Sequence, residues 1–202
     1  MAKETVVITG ATGFIGARVL QLLLQTEYNI RIVVRSDAKA ESLRTNPHLE
    51  GISKAEFVLV PDLLAPDALD KAVAGADSIV HLASPIPLHG DIPPERQHDE
   101  LIVPAVNATL RALEAAQKSG SVKRVVITSS AVAIMPPALV LPSDDPPSDR
   151  VVSADDRLAD PEPPFPSAFV AYIASKIAAL NASDKFAREQ KPAFDVINIM
   201  PP

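Results

Sequence analysis

The stretch Thr9-Gly10-Ala11-Thr12-Gly13-Phe14-Ile15-Gly16 constrains this chain more than any other, because of what flanks it. It closes an apolar run, Val6-Val7-Ile8, and opens a helical pattern of Ile15, Val19, Leu22 and Leu23. A strand, a tight glycine turn and a helix N-terminus in that order make a cradle for a pyrophosphate. Gly10 permits the turn, Gly13 lets the backbone approach the phosphates, and Gly16 lets the helix pack on the strand. The unpaired amides of the first helical turn and the positive end of the helix dipole then face the anion. A glycine motif alone is weak, but its placement after the first strand of an alternating chain makes it strong.

The rest of the chain does alternate. Strands are predicted at residues 6–9, 30–34, 55–60, 78–82, 124–128 and 194–199, and helices at 14–26, 38–43, 66–74, 95–118 and 169–189. Pro66 is acceptable in a first helical turn. Pro104 lies inside the fourth helix and predicts a kink or break there, and Ser119-Gly120 is a usual helix stop. Apolar strands alternating with helices read as an α/β fold, a doubly wound parallel sheet covered on both faces.

Composition narrows the function classes. A chain of 202 residues fits one domain, here a dinucleotide-binding domain over residues 1–202. Hydrophobic residues make up 47%, too many for a disordered chain. The net charge is −6 with no basic stripe, which argues against a nucleic-acid partner. With no cysteine there is no disulfide framework, thiolate zinc site or cysteine nucleophile. His48, His81, His89 and His98 show no metal-ligand spacing, so no metal is expected. The N-terminus enters the first strand at once, leaving no room for a signal sequence, and no apolar run reaches membrane-spanning length. The expectation is a soluble cytoplasmic protein with no membrane partner.

Residues 136–166 break the alternation. They hold nine prolines together with Asp144, Asp145, Asp149, Asp155, Asp156, Asp160 and Glu162. So long a stretch without periodicity reads either as a lid or substrate-rim loop or as a solvated excursion. The last strand runs into Pro201-Pro202, and a strand leaving its carboxyl end this way suggests a fragment of a longer protein.

Two further pieces carry chemistry. Tyr172 and Lys176 stand at i and i+4 and share a helix face. A phenol titrates near ~10, and a neighbouring ammonium lowers that value, so the pair can exchange a proton with a carbonyl or alcohol oxygen. Thr128-Ser129-Ser130 follows the fifth strand, at the sheet end where ligands bind. A hydroxyl there can donate to the substrate oxygen. Taken alone, each has a plain reading: a surface tyrosine near a surface lysine, or serines that cap a turn.

Together with the glycine turn, these pieces resemble the extended branch of the short-chain dehydrogenase/reductase superfamily, the NAD-dependent epimerase/dehydratase family, and within it the dihydroflavonol-reductase-like group. The resemblance covers essentially all of the chain and implies a Rossmann fold. It implies Ser130 as the catalytic hydroxyl, with Ser129 the neighbour open to confusion, Tyr172 and Lys176 as the proton-transfer pair, and Asn107 as a supporting helix residue. It implies that Gly10, Thr12, Gly13, Phe14, Ile15 and Gly16 form the cofactor-binding turn, and that Asp62 and Leu63 contact the adenine. Ala83 and Ser84 of His81-Leu-Ala-Ser-Pro85, together with Tyr172, Lys176 and Pro201, are implied as cofactor-binding, Lys176 on the nicotinamide ribose and Pro201 in the stretch beside the nicotinamide. A homodimer face on the two long helices is also implied. Two departures concern substrate recognition. The smaller C-terminal substrate-binding part of the family does not follow the sixth strand, and the usual aromatic residue before the tyrosine helix is missing, since the chain has no tryptophan.

Cofactor choice follows from Val33-Val34-Arg35-Ser36, where an NAD site carries an acid at the end of the second strand. Arginine suits a 2′-phosphate, and Arg18 and Lys39 add positive charge, so NADP(H) is favoured over NAD(H). The plain reading of Arg35 is that it stacks on the adenine or caps the turn. The resulting expectation is an NADP-dependent oxidoreductase that reduces a ketone or aldehyde carbonyl of a small molecule. The alternatives are a sugar-nucleotide epimerase or dehydratase, and a cofactor-binding module without turnover.

Overall fold

Six strands form one parallel sheet: β1 (Thr5–Thr9), β2 (Asn29–Val34), β3 (Glu56–Leu59), β4 (Ser78–His81), β5 (Arg124–Thr128) and β6 (Asp195–Ile199). Their order is β3-β2-β1-β4-β5-β6. The computed structural model describes residues 3–84, 92–141 and 151–202. Pro85 and His89 lie outside these ranges, as do residues 142–150 of the proline-rich loop with Asp144, Asp145 and Asp149. Strand order reverses between β1 and β4, so the carboxyl ends of these neighbours open a crevice at the topological switch point.

Alternation along each strand explains why both faces are covered. Val7 and Val33 belong to one apolar cluster, with Ile79, Leu113, Val125 and Phe186. Their neighbours Ile8, Ile32 and Val34 belong to a second, with Leu20, Ala40 and Leu43. Successive side chains point to opposite sides of a strand. An apolar run such as Val6-Val7-Ile8 therefore needs helices on both sides.

The helices are α1 (Phe14–Leu23), α2 (Asp37–Arg44), α3 (Asp70–Val73), α4 (Pro94–Gln97), α5 (Val103–Ser119), α6 (Pro137–Val140) and α7 (Ala168–Gln190). Two differ from expectation for identifiable reasons, and a third shows the break expected at Pro104. α1 stops at Leu23, and residues 24–26 turn back onto Leu20, Leu22 and Leu23 carbonyls. The helix predicted at 66–74 is only one turn, because Asp67 takes a left-handed φ of 57° that no right-handed helix accommodates. The break predicted at Pro104 takes the form of a π-turn over His98–Ile102 that joins α4 to α5. The wider turn accommodates a ring that has no N–H to give and that crowds the preceding turn.

The described part of the proline-rich stretch is docked on the protein. Phe165 is 3% exposed and packs with Leu101, Ile102, Ala171 and Ala174. Asn181 on α7 donates to Leu158 O at 2.9 Å and to Asp160 Oδ1 at 2.7 Å. Arg157 pairs with Asp184 of the same helix.

Candidate active site

The glycine turn closes as the residue pattern requires. Gly10 has a φ of 73°, and a Cβ there would stand 2.6 Å from Ala83 N. A Cβ on Gly16 would stand 2.1 Å from Gly10 O, so α1 packs on the turn only without one. Gly13 is different. It begins α1, donates to Gly10 O at 3.0 Å, and a Cβ there would meet only that oxygen, at 3.4 Å. Its outer side faces open space.

The residues present fit a dinucleotide. No side chain caps α1, and its first turn holds no acid to compete with an anion. Thr12 is exposed, Phe14 is 97% exposed and Ile15 is 48% exposed. Apolar side chains left bare around a helix N-terminus suit a ligand that lies across them.

At the end of β2, Arg35 is exposed and has no hydrogen bond or ion pair among the described residues. The cap of α2 is Ser36, whose hydroxyl accepts from Lys39 N. Asp37, two residues beyond Arg35, sits in the first turn of α2, where it complements the helix dipole. Arg18 is engaged with Gln21 on its own helix. Beyond β3, Asp62 Oδ1 accepts from Leu64 N at 2.8 Å, and Leu63 packs against the core.

The hydroxyl, phenol and ammonium converge at the carboxyl end of β5. Ser129 N donates to Ile199 O and Ala131 N to Pro201 O, both at 2.8 Å, so the exits of β5 and β6 are clasped and Pro201 lies beside Ser130. Ser130 begins a single turn at Ala131–Ala133, its hydroxyl accepts from Val132 N, and its side chain stands close enough to the Tyr172 phenol to favour the phenolate. Ser129 instead lines a crevice with Lys176. The two adjacent serines are thereby distinguished. Lys176 is 7% exposed, donates to Ser84 Oγ at 3.0 Å, and places Nζ 5.5 Å from the centre of the Tyr172 ring.

Two expectations need correction. The phenol of Tyr172 is held above its ordinary value, because half-burial disfavours the phenolate and outweighs the opposing Ser130 hydrogen bond. Lys176 does not lower it here: its ammonium lies over the ring face and bonds to Ser84. Burial instead pushes Lys176 itself down to about 8. Asn107 does not join the group. It lines a separate cavity of about 440 Å³ with Val103, Val106, Asp160 and Ala178, on the outer side of α5 and α7. The residue of α5 that lines the crevice with Lys176 is Thr109. Two positions along a helix turn the side chain by about 200°, so Asn107 and Thr109 look in nearly opposite directions.

His81 and Phe169 also belong to the site, although the sequence reading assigned neither a role. His81 is 2% exposed and pairs Nδ1 with Thr9 Oγ1 at 2.9 Å. Phe169 is 50% exposed and stacks on Tyr172, one helical turn away, with ring centres 6.5 Å apart. The i, i+3 spacing to Tyr172 was the available signal for Phe169. Among the described residues no group of three His, Asp or Glu is arranged to hold a metal. No helix there is long and apolar enough to cross a membrane.

The sequence model of the NAD dependent epimerase/dehydratase family matches residues 6–202. Ketoreductase CTB6 of Cercospora nicotianae is 38% identical over 208 residues, covering 100% of this chain and 56% of its own length. Aldehyde reductase 2 of Sporidiobolus salmonicolor is 33% identical over 198 residues, covering 97% of this chain and 56% of its own length. The crystal structure of yeast methylglyoxal/isovaleraldehyde reductase Gre2 complexed with NADPH superposes with a TM-score of 0.80 at 28% identity. It covers 98% of this chain and 57% of the Gre2 chain. The chain spans a little over half the length of the curated relatives it matches.

Proposed function

The chain belongs to the NAD-dependent epimerase/dehydratase family, and from that premise we propose that it carries the cofactor-binding and catalytic residues of an NADP-dependent carbonyl reductase. The observation that carries this reading is the convergence of Ser130, Tyr172 and Lys176 beside the glycine turn. A bound nicotinamide supplies a hydride to the carbonyl carbon of a ketone or aldehyde. Tyr172 gives its proton to the carbonyl oxygen, which becomes the hydroxyl of the product alcohol and leaves a phenolate on Tyr172. Ser130 donates a hydrogen bond to that oxygen as negative charge builds on it. Lys176 would hold the nicotinamide ribose, and its charge would offset the charge left on Tyr172.

Cofactor binding follows from the same elements. The α1 amides and the glycines take the pyrophosphate, with Thr12, Phe14 and Ile15 around it. Asp62 and Leu63 border the adenine, and Ala83, Ser84 and Pro201 border the nicotinamide. Arg35, exposed and without an intramolecular partner, reads the 2′-phosphate through its planar donor fork. Gre2 bound to NADPH and the ketoreductase and aldehyde reductase relatives support this choice of cofactor and substrate class. A small carbonyl compound is the proposed partner, in the cytoplasm.

The test uses three proteins: the wild type, Tyr172→Phe and Arg35→Ala. Tyr172→Phe keeps NADPH affinity and loses reduction of aldehydes and ketones by at least about 100-fold, the scale of general acid catalysis. Arg35→Ala loses NADPH affinity and keeps that for NADH. Undiminished reduction by Tyr172→Phe removes the phenol from the mechanism, and equal wild-type affinity for the two cofactors removes the NADP assignment.

A second reading, dinucleotide binding without turnover, has one observation in its favour. In this conformation the phenol is held above its ordinary value and Lys176 bonds Ser84. Tight NADPH binding with no reduction of any carbonyl compound in a broad panel is the outcome that selects it.

A further inference from the structure

The crevice behind Lys176 contains a polar atom that the proposed reaction does not use. His81 Nε2 is enclosed by protein and has no hydrogen-bond partner among the described residues. A buried ring nitrogen left bare costs on the order of 1–3 kcal/mol, and such atoms in folded proteins are usually met by an ordered water. His81 lines the crevice with Lys176, Thr109, Ser129 and Asn198, and a water centre can move there through about 10 Å³. One water needs roughly that much room and two or more polar partners.

Lys176 brings a second, independent need. Among the described residues its ammonium has Ser84 Oγ as a hydrogen-bond acceptor and no carboxylate pairs with it. An ammonium offers three donors, and a buried charge that is neither paired nor solvated is costly. Among the described residues, the titratable groups that face it are Tyr172, from its own helix, and His81, from β4. Between about pH 4 and 8 both are neutral, so neither balances the charge. A metal cation is repelled by the ammonium, and a multi-atom anion exceeds the space.

We propose that one internal water occupies this crevice and bridges His81 Nε2 to the Lys176 ammonium. His81 is then a positioning residue: it anchors the water that solvates Lys176 from the sheet side. The buried His81–Thr9 contact fixes the ring, so the water has a defined site. The water does not depend on the reductase reading. Its importance for placing Lys176 beside Tyr172 does rest on that reading.

The test needs no cofactor, so its failure is distinguishable from failure of the reductase assignment. Lysine labelled with 13C at Cε reports the Lys176 midpoint by NMR, and water cross-peaks to His81 and Lys176 report occupancy. The wild type shows both cross-peaks. His81→Phe deletes the anchor, and Thr109→Ile fills the crevice from α5 while leaving the His81–Thr9 contact in place. Both variants lose the cross-peaks, and the Lys176 midpoint falls by about one pH unit, a tenfold gain in acidity. The wild-type cross-peaks test occupancy even where a variant does not fold. Their absence overturns the proposal, and so does an unchanged Lys176 midpoint in Thr109→Ile once the water is gone.

Discussion

Lys176 Nζ donates to Ser84 Oγ at 3.0 Å, which ties the middle of α7 to the exit of β4 at the crevice. Burial holds this ammonium down to about 8, so its charge is present below that pH and lost above it. Dinucleotide affinity is expected to fall by about tenfold as pH rises from 7 to 9, the worth of one charge-assisted hydrogen bond. Lys176→Met has the weaker affinity throughout and little pH dependence in this window. Calorimetric titration at several pH values checks this, and a wild-type affinity flat from pH 7 to 9 refutes it.

Gly16 and Gly13 are expected to fail in different ways. Gly16→Ala forces a Cβ to within 2.1 Å of a backbone oxygen. The turn must shift, at about 2 kcal/mol of stability, and dinucleotide binding is lost with it. Gly13→Ala meets only a 3.4 Å contact. It leaves stability within about 0.5 kcal/mol but narrows the approach to the phosphates. Urea unfolding combined with cofactor titration separates the two effects. Equal stability losses in the two variants contradict this account of the turn.

His81 makes the fold acid-sensitive. Burial, reinforced by the Lys176 charge, lowers its pKa from 6.5 to about 4. Between those values the unfolded chain binds more protons than the folded one, so stability rises with pH there. The contribution is fully present above pH 6.5 and is lost as pH falls through 4, about 3 kcal/mol in all. His81→Gln is less stable at pH 7 but loses less between pH 7 and 4.5. Urea midpoints at the two pH values decide the matter, and parallel losses in wild type and variant count against it.

Phe165 tests whether the end of the proline-rich stretch is part of the packed structure. Its ring is 3% exposed among Leu101, Ile102, Ala171 and Ala174. Phe165→Ala should lower stability by about 3 kcal/mol and open residues 151–166 to limited proteolysis. A solvated excursion would tolerate the change within a few tenths of a kcal/mol, and that result would restore the plainer reading of this segment.

Much of the molecule was legible in the sequence because the signals are local. The glycine turn needs only neighbouring residues to define its shape, the strands declare themselves by apolar runs, and Tyr172 and Lys176 share a helix face through their spacing alone. What the sequence could not reveal depends on contacts between distant residues. That Thr109 and not Asn107 faces Lys176 is set by how α5 rotates against α7. The helix at 66–74 shrinks because Asp67 adopts a left-handed turn that residue type does not dictate. The acid–base properties of the site are the clearest case. Sequence spacing places an ammonium near a phenol, and in water that pairing alone lowers the phenol's pKa. Folding buries both groups, turns the ammonium toward Ser84 and, among the described residues, supplies no carboxylate to it, so desolvation sets the direction of both shifts, and desolvation is a property of the whole packed surroundings.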